Sequence, residues 1–181
     1  MRSVLISALT LFGATWASAQ QEPPEAVFYH SSRELSFQIP PDFQLVKQER
    51  RYLNPAAQEV PSLQRMWQRG GEGIIVQIVV EPKAVWESNI THRQRFEVGL
   101  AGMLSDPAFK VLSRRSYELN GCPAESVNGV HEAAIPASFR MDCFQAKPNM
   151  FIIGYMSAKS SSWGDPASRS FFESISLKPK K

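Results

Sequence analysis

Asn120-Gly121 constrains this chain more than any other pair of residues. A two-residue type I′ turn needs positive φ at both central positions, and asparagine followed by glycine meets that need with little steric cost. A hairpin closed there pairs Leu119 with Cys122 and Tyr117 with Ala124. Cys122 and Cys143 are the only two cysteines. An antiparallel register that sets them opposite each other centres the next turn between Glu132 and Ala133, ahead of Pro136, where the apolar pattern lapses. That register puts Tyr117, Leu119, Ala124, Phe139, Met141 and Cys143 on one face, because strand side chains alternate with a period of two. The expectation is a meander pinned by a Cys122–Cys143 disulfide. Such a bridge would close a loop of 20 intervening residues and stabilise the fold by about 3 kcal/mol.

The first residues bear on the compartment. Met1-Arg2 carries one positive charge, Val4 to Ala14 is apolar, and Ala17-Ser18-Ala19 has the small-x-small form that signal peptidase accepts. The apolar run is shorter than the roughly 20 residues a membrane-spanning helix needs. Residues 1–19 therefore read as a cleaved signal peptide, which implies export to the periplasm or the medium and no membrane span. Removing 19 of 181 residues leaves 162, and removing Arg2 takes the formal charge from +3 to +2. That length suits one domain with a real core. The charge is too near neutral to point to nucleic acid, and its arginines alternate with glutamines and acids as on a solvated surface. Two cysteines in an exported chain read as one disulfide, and the C-x-x-C spacing of a redox enzyme is absent.

Residues 20–26 form a polar, proline-bearing lead-in expected to be disordered, followed by one domain over 27–178. Leu35, Phe37 and Ile39 alternate with polar neighbours as in a half-buried strand, and Phe43 to Val46 resumes extended structure after Pro40-Pro41. Leu63 to Gln68 reads as a strand. Gly70-Gly71-Glu72-Gly73 then reads as a turn, since the β-branched run Ile74 to Val80 follows it rather than the helix that a phosphate loop requires. Thr91 and Gln94 form a capping box ahead of a helix of about 13 residues, with Phe96, Leu100, Met103 and Leu104 at helical spacing. Phe151 to Met156 is apolar on both parities, as in an interior strand. Asp165-Pro166 opens a second helix with Phe171, Phe172 and Ile175 on its apolar stripe, and Leu177 onwards is a short strand or basic tail. Antiparallel runs separated by single helices predict an α+β domain, one mainly antiparallel β-sheet flanked by helices.

Several of these segments resemble PsbP-like domains. The opening Leu35-Ser36-Phe37-Gln38-Ile39-Pro40 with Phe43 is similar to their first strand, and Gly121, Pro123 and Ala124 with the closing Phe171-Phe172-Glu173-Ser174-Ile175 are similar to their last hairpin and helix. The resemblance covers residues 27–178 and implies an α/β/α sandwich. It also implies accessory and binding roles like those of photosystem II extrinsic subunits, a nuclear Ran-binding factor and exported bacterial proteins of unassigned role. No catalytic residue set is common to that group, so the resemblance supplies no site.

The residues themselves carry little chemistry. A Gly-x-Ser-x-Gly elbow is absent, and His131-Glu132 lacks the second histidine of a zincin because position 135 is Ile135. His30, His92 and His131 are far apart in sequence, and neither a metal set nor a cofactor motif is legible. Asp42, Glu49, Glu72 and Asp142 show no pairing for acid–base work. Trp67, Trp86 and Trp163 fall near expected loops or strand ends, where an amphipathic ring can meet a partner. The expectation is an exported, non-enzymatic binding or accessory domain for a partner protein or a small apolar ligand. Its alternative is a hydrolase or lyase whose residues converge only in the fold.

Overall fold

The computed structural model describes residues 33–52, 61–81, 89–104, 106–147, 149–158 and 165–179. The expected signal peptide, the lead-in, His30, Trp86 and Trp163 lie outside them. In chain order the elements are β1 (Arg33–Ser36), β2 (Gln44–Tyr52), β3 (Pro61–Arg69), β4 (Glu72–Val80), α1 (His92–Leu104), β5 (Phe109–Leu119), β6 (Cys122–His131), β7 (Ala137–Ala146), β8 (Asn149–Ser157), α2 (Pro166–Ser174) and β9 (Ser176–Pro179).

Seven strands form one antiparallel sheet in the order β2-β3-β4-β8-β7-β6-β5, and β1 pairs with β9 apart from it. The order follows from where apolar residues are spent. β4 and β8 are buried on both parities and sit inside the sheet, whereas β5 is exposed from Lys110 to Ser116 and forms an edge. One face carries Ile74, Val76 and Ile78 of β4, Phe144 of β7, and Phe151, Ile153 and Tyr155 of β8. Phe171 and Phe172 of α2, Leu35, Phe37, Phe43 and Leu177 close over them. The other face carries Val127, Phe139, Met141, Cys143, Met150 and Ile152, and Phe96 and Leu100 of α1 cover it. Helices on opposite faces of a mainly antiparallel sheet make this the α+β fold expected from the sequence.

The local signals behave as their chemistry requires. Asn120 and Gly121 both have positive φ, 48° and 79°, and Leu119 stands opposite Cys122. The Thr91 backbone N–H donates to Gln94 Oε1 at 2.9 Å while the Gln94 N–H donates to Thr91 Oγ1 at 3.2 Å, so the capping box is closed. Asp165 caps α2 by accepting from the Ala167 N–H at 3.0 Å, with Pro166 at the first helical position. The β5–β6 ladder also depends on Gly129, where a Cβ would lie 2.2 Å from the Lys110 carbonyl oxygen and 2.6 Å from Phe139 Cζ.

The expected disulfide is not formed. Cys122 and Cys143 are both buried, and no bond joins them. β6 and β7 pair Ala124 with Phe144 and Glu125 with Cys143, because the loop between them holds five residues, 132–136, with His131 opposite Ala137. The register expected from setting Cys122 opposite Cys143 is therefore wrong by three positions. An odd shift sends a strand's side chains to the opposite face. Phe139, Met141 and Cys143 accordingly pack beneath α1, while Tyr117, Leu119, Cys122 and Ala124 pack on the α2 side. The strand expected over Leu35 to Ile39 is also shorter. It ends at Ser36 and pairs with β9, outside the large sheet, although Leu35 and Phe37 are buried as their alternation implied.

Candidate ligand-binding site

β7 reads Phe139-Arg140-Met141-Asp142-Cys143-Phe144, and its alternation turns Arg140 and Asp142 to the α2 face with Phe144. Two residues apart on one strand, they pair along it. Arg140 Nε donates to Asp142 Oδ1 at 3.0 Å, and Nη2 donates to Oδ2 at 2.8 Å. The ladder then brings two hydroxyl groups. Ser126, opposite Asp142, donates to Oδ1 at 2.7 Å, and Tyr117 of β5 donates to Oδ2 at 2.7 Å. Each carboxylate oxygen thus accepts two hydrogen bonds. A side chain only 2 % exposed requires this, since a buried charge is tolerated when its pairing is complete.

The cluster is closed towards the core and open towards solvent. The Arg140 guanidinium lies 3.9 Å from the ring centre of Phe172, which fixes its plane, and its side chain remains 27 % exposed. Nη1 stays outside the fork to Asp142. Arg115 stands opposite Ser126 on the exposed edge strand, with its guanidinium 5.7 Å from the Tyr117 ring centre. In the next cross-strand row Ser113, Asn128 and Arg140 align, and Asn128 Nδ2 donates to Ser113 Oγ at 3.2 Å. Burial, followed by the charge and hydrogen bond of Asp142, pushes the Tyr117 phenol well above its ordinary range, so it is held neutral as a donor.

A second closed cluster lies on the same face. Tyr155 OH donates to Glu72 Oε1 at 2.9 Å, and Arg69 donates to Glu72 Oε2 through Nε at 3.0 Å and Nη2 at 2.7 Å. Arg69 reaches the Pro41 carbonyl at 3.1 Å and lies 4.7 Å from the Phe43 ring centre. Its guanidinium is raised by the hydrogen bond to Glu72, and burial raises the Tyr155 phenol. Beneath α1, buried Glu81 pairs with Arg95 at 3.3 Å and accepts from Gln145 Nε2. Gln145 then presents its oxygen to His92 Nδ1 at 2.9 Å. That orientation assigns the proton to Nδ1.

The residues singled out in the sequence do not come together. Trp67 is 5 % exposed and packs edge-on against Phe37 at 5.8 Å, so it is core and offers no interaction surface. His92 bonds to Gln145 near the start of α1. His131, 3 % exposed, packs tilted against Phe109 with ring centres 4.4 Å apart and Asp106 Oδ2 at 3.9 Å, beyond hydrogen-bond length. Among the described residues no three histidine, cysteine, aspartate or glutamate side chains gather as a metal set. No described helix is long and apolar enough to cross a membrane. What sequence reading missed is the Asp142 cluster. Its one signal was an arginine and an aspartate on the same parity of a strand otherwise rich in apolar residues.

No protein-family model matches the chain, and no curated protein matches it by sequence. Among solved structures it is similar to LpqN of Mycobacterium tuberculosis, described as involved in cell envelope biogenesis. The two are 14% identical, with a TM-score of 0.49 over 88% of this chain and 91% of that one. It is also similar to PA94 of Pseudomonas aeruginosa, a protein of unknown function. Here identity is 12% and the TM-score 0.39, over 75% of this chain and 83% of that one. Neither likeness shows the PsbP-like relationship expected from the sequence; the α+β architecture stands on the strand order itself.

Proposed function

We propose that the protein is an exported binding or accessory domain that works through the β5–β6–β7 surface around Asp142, without catalysing a reaction. One observation carries this reading. The carboxylates and phenols on the α2 face are bonded to one another, Asp142 with Tyr117 and Glu72 with Tyr155, while Arg140 and Arg115 keep faces to solvent. A general base must reach a substrate proton, and a carboxylate already accepting four hydrogen bonds has no lone pair to spare for one. A rigid guanidinium with an open edge suits recognition instead.

The test is a thermal-shift screen of the mature chain against a panel of small extracellular metabolites and peptides, paired with assays on ester, amide and glycoside substrates. At least one compound should raise the melting temperature, and its effect should shrink in Arg140→Lys. Turnover of any substrate that disappears in Asp142→Asn would overturn the reading in favour of a hydrolase or lyase.

A further inference from the structure

We infer that the open edge of Arg140 is a binding site for a carboxylate group, with Arg115 as a second cation at its rim; this specifies the ligand class for the surface proposed above and rests on that proposal. Arg140 uses Nε and Nη2 on Asp142, and the remaining edge, built from Nη1 and the second Nη2 hydrogen, is an end-on fork. Such a fork matches the two oxygens of a carboxylate with parallel hydrogen bonds. The fork is rigid before any ligand arrives, because the bidentate bond fixes its direction and Phe172 at 3.9 Å fixes its plane. Preorganisation of this kind removes the ordering penalty that a mobile surface arginine pays on binding.

Charge selects the ligand. Arg115 and Arg140 stand against the single anion Asp142, and Tyr117 is held neutral, so the cluster carries one net positive charge. A monoanionic carboxylate balances it, whereas a phosphate near its second ionisation would leave negative charge in excess. The surroundings agree. The rings of Tyr117 and Phe172 stand beside the two guanidinium groups, and Ser113 and Asn128 complete the row that holds Arg140. The register separates the Arg115 and Arg140 Cα atoms by two strands and one row, roughly 12 Å. One carboxylate therefore sits on Arg140 while Arg115 attracts it across the rim. The carboxylate belongs either to a small molecule or to the C-terminus of a partner chain.

The experiment follows the arginine Nε–Hε resonances of the ¹⁵N-labelled mature chain. Three probes are titrated: butyrate, inorganic phosphate, and a peptide with a free C-terminal carboxylate set against its amide. Butyrate or the free-acid peptide should shift the Arg140 resonance saturably. Affinity should fall at least tenfold in Arg140→Lys, which keeps the charge and loses the fork, and two- to threefold in Arg115→Ala, with a weaker dependence on salt. Tighter binding of the free-acid peptide than of butyrate assigns the carboxylate to a protein terminus, and the reverse assigns it to a small molecule. Either result supports the site. An Arg140 resonance unmoved by both carboxylates, tighter binding of phosphate, or an unchanged affinity in both variants overturns it. Should Arg140→Lys fail to fold, the wild-type titration and Arg115→Ala, an exposed rim position, still decide. If the carboxylates fail while another compound from the thermal-shift screen moves the Tyr117, Ser126 and Arg140 signals, the ligand class falls and the binding reading stands.

Discussion

Tyr117 lies on an edge strand with exposed neighbours on either side, yet its hydroxyl completes the shell of a buried carboxylate. Deleting that hydroxyl should be felt. In Tyr117→Phe one Asp142 oxygen loses a 2.7 Å charge-assisted bond, and half burial keeps water from replacing it fully. The expected loss is about 1.5 kcal/mol, read from urea unfolding. The same side chain links stability to pH. Folding raises the Tyr117 and Tyr155 phenols, and burial raises the Cys143 thiol. The native state therefore holds protons that the unfolded chain releases from about pH 8.5 for a thiol and about pH 10 for a phenol. The stability these groups contribute is complete below those values and is lost as pH rises towards the folded ones. Melting temperature should fall from pH 9 to 11, and Tyr117→Phe should flatten the upper part of that fall. An unchanged slope would remove Tyr117 from the account.

At the scale of elements, legibility followed locality. The Asn120-Gly121 turn, the Thr91–Gln94 box and the Asp165-Pro166 cap depend on residues within one turn of each other, and each could be read in sequence. Asp165→Ala should accordingly cost about 1 kcal/mol by stripping the cap from α2. Registers between strands depend on loop lengths, which composition does not determine. The run Glu132-Ala133-Ala134-Ile135-Pro136 holds a five-residue loop where a turn centred between Glu132 and Ala133 was expected, and three positions of shift moved the side chains of β7 to the opposite faces. The Asp142 cluster was illegible for the same reason. It needs Tyr117, Ser126 and Asp142 to meet across three strands, and only the correct register puts Ser126 opposite Asp142 with Tyr117 in the adjacent row. Trp67 shows the converse error. A tryptophan near a strand end was expected to meet a partner, but that position of β3 faces Phe37 and the core.

Across the whole molecule, two antiparallel meanders, β2-β3-β4 and β5-β6-β7-β8, meet at the β4–β8 seam. That seam pairs Ile78 with Phe151 and Ile74 with Tyr155, so the sheet cannot close until nearly all of its sequence is present. A chain truncated before Asn149 should lack protease resistance, and refolding of the intact domain should take milliseconds to seconds, as for other sheets of distant pairings. If residues 1–19 direct export, material recovered outside the cytoplasm should begin near Gln20 by N-terminal sequencing. The two thiols then acquire a different meaning. In the finished fold the sheet stands between Cys122 and Cys143, and neither is accessible. In the unfolded chain nothing separates them, and a bridge formed then would clamp β6 and β7 three positions out of step, turning Phe139 and Met141 away from α1. An oxidant that arrives before the sheet closes makes a kinetic trap, and one that arrives afterwards finds nothing to oxidise. Denatured protein oxidised before dilution should refold poorly until a reductant is added, whereas reduced protein should reach the native state and then withstand the same oxidant.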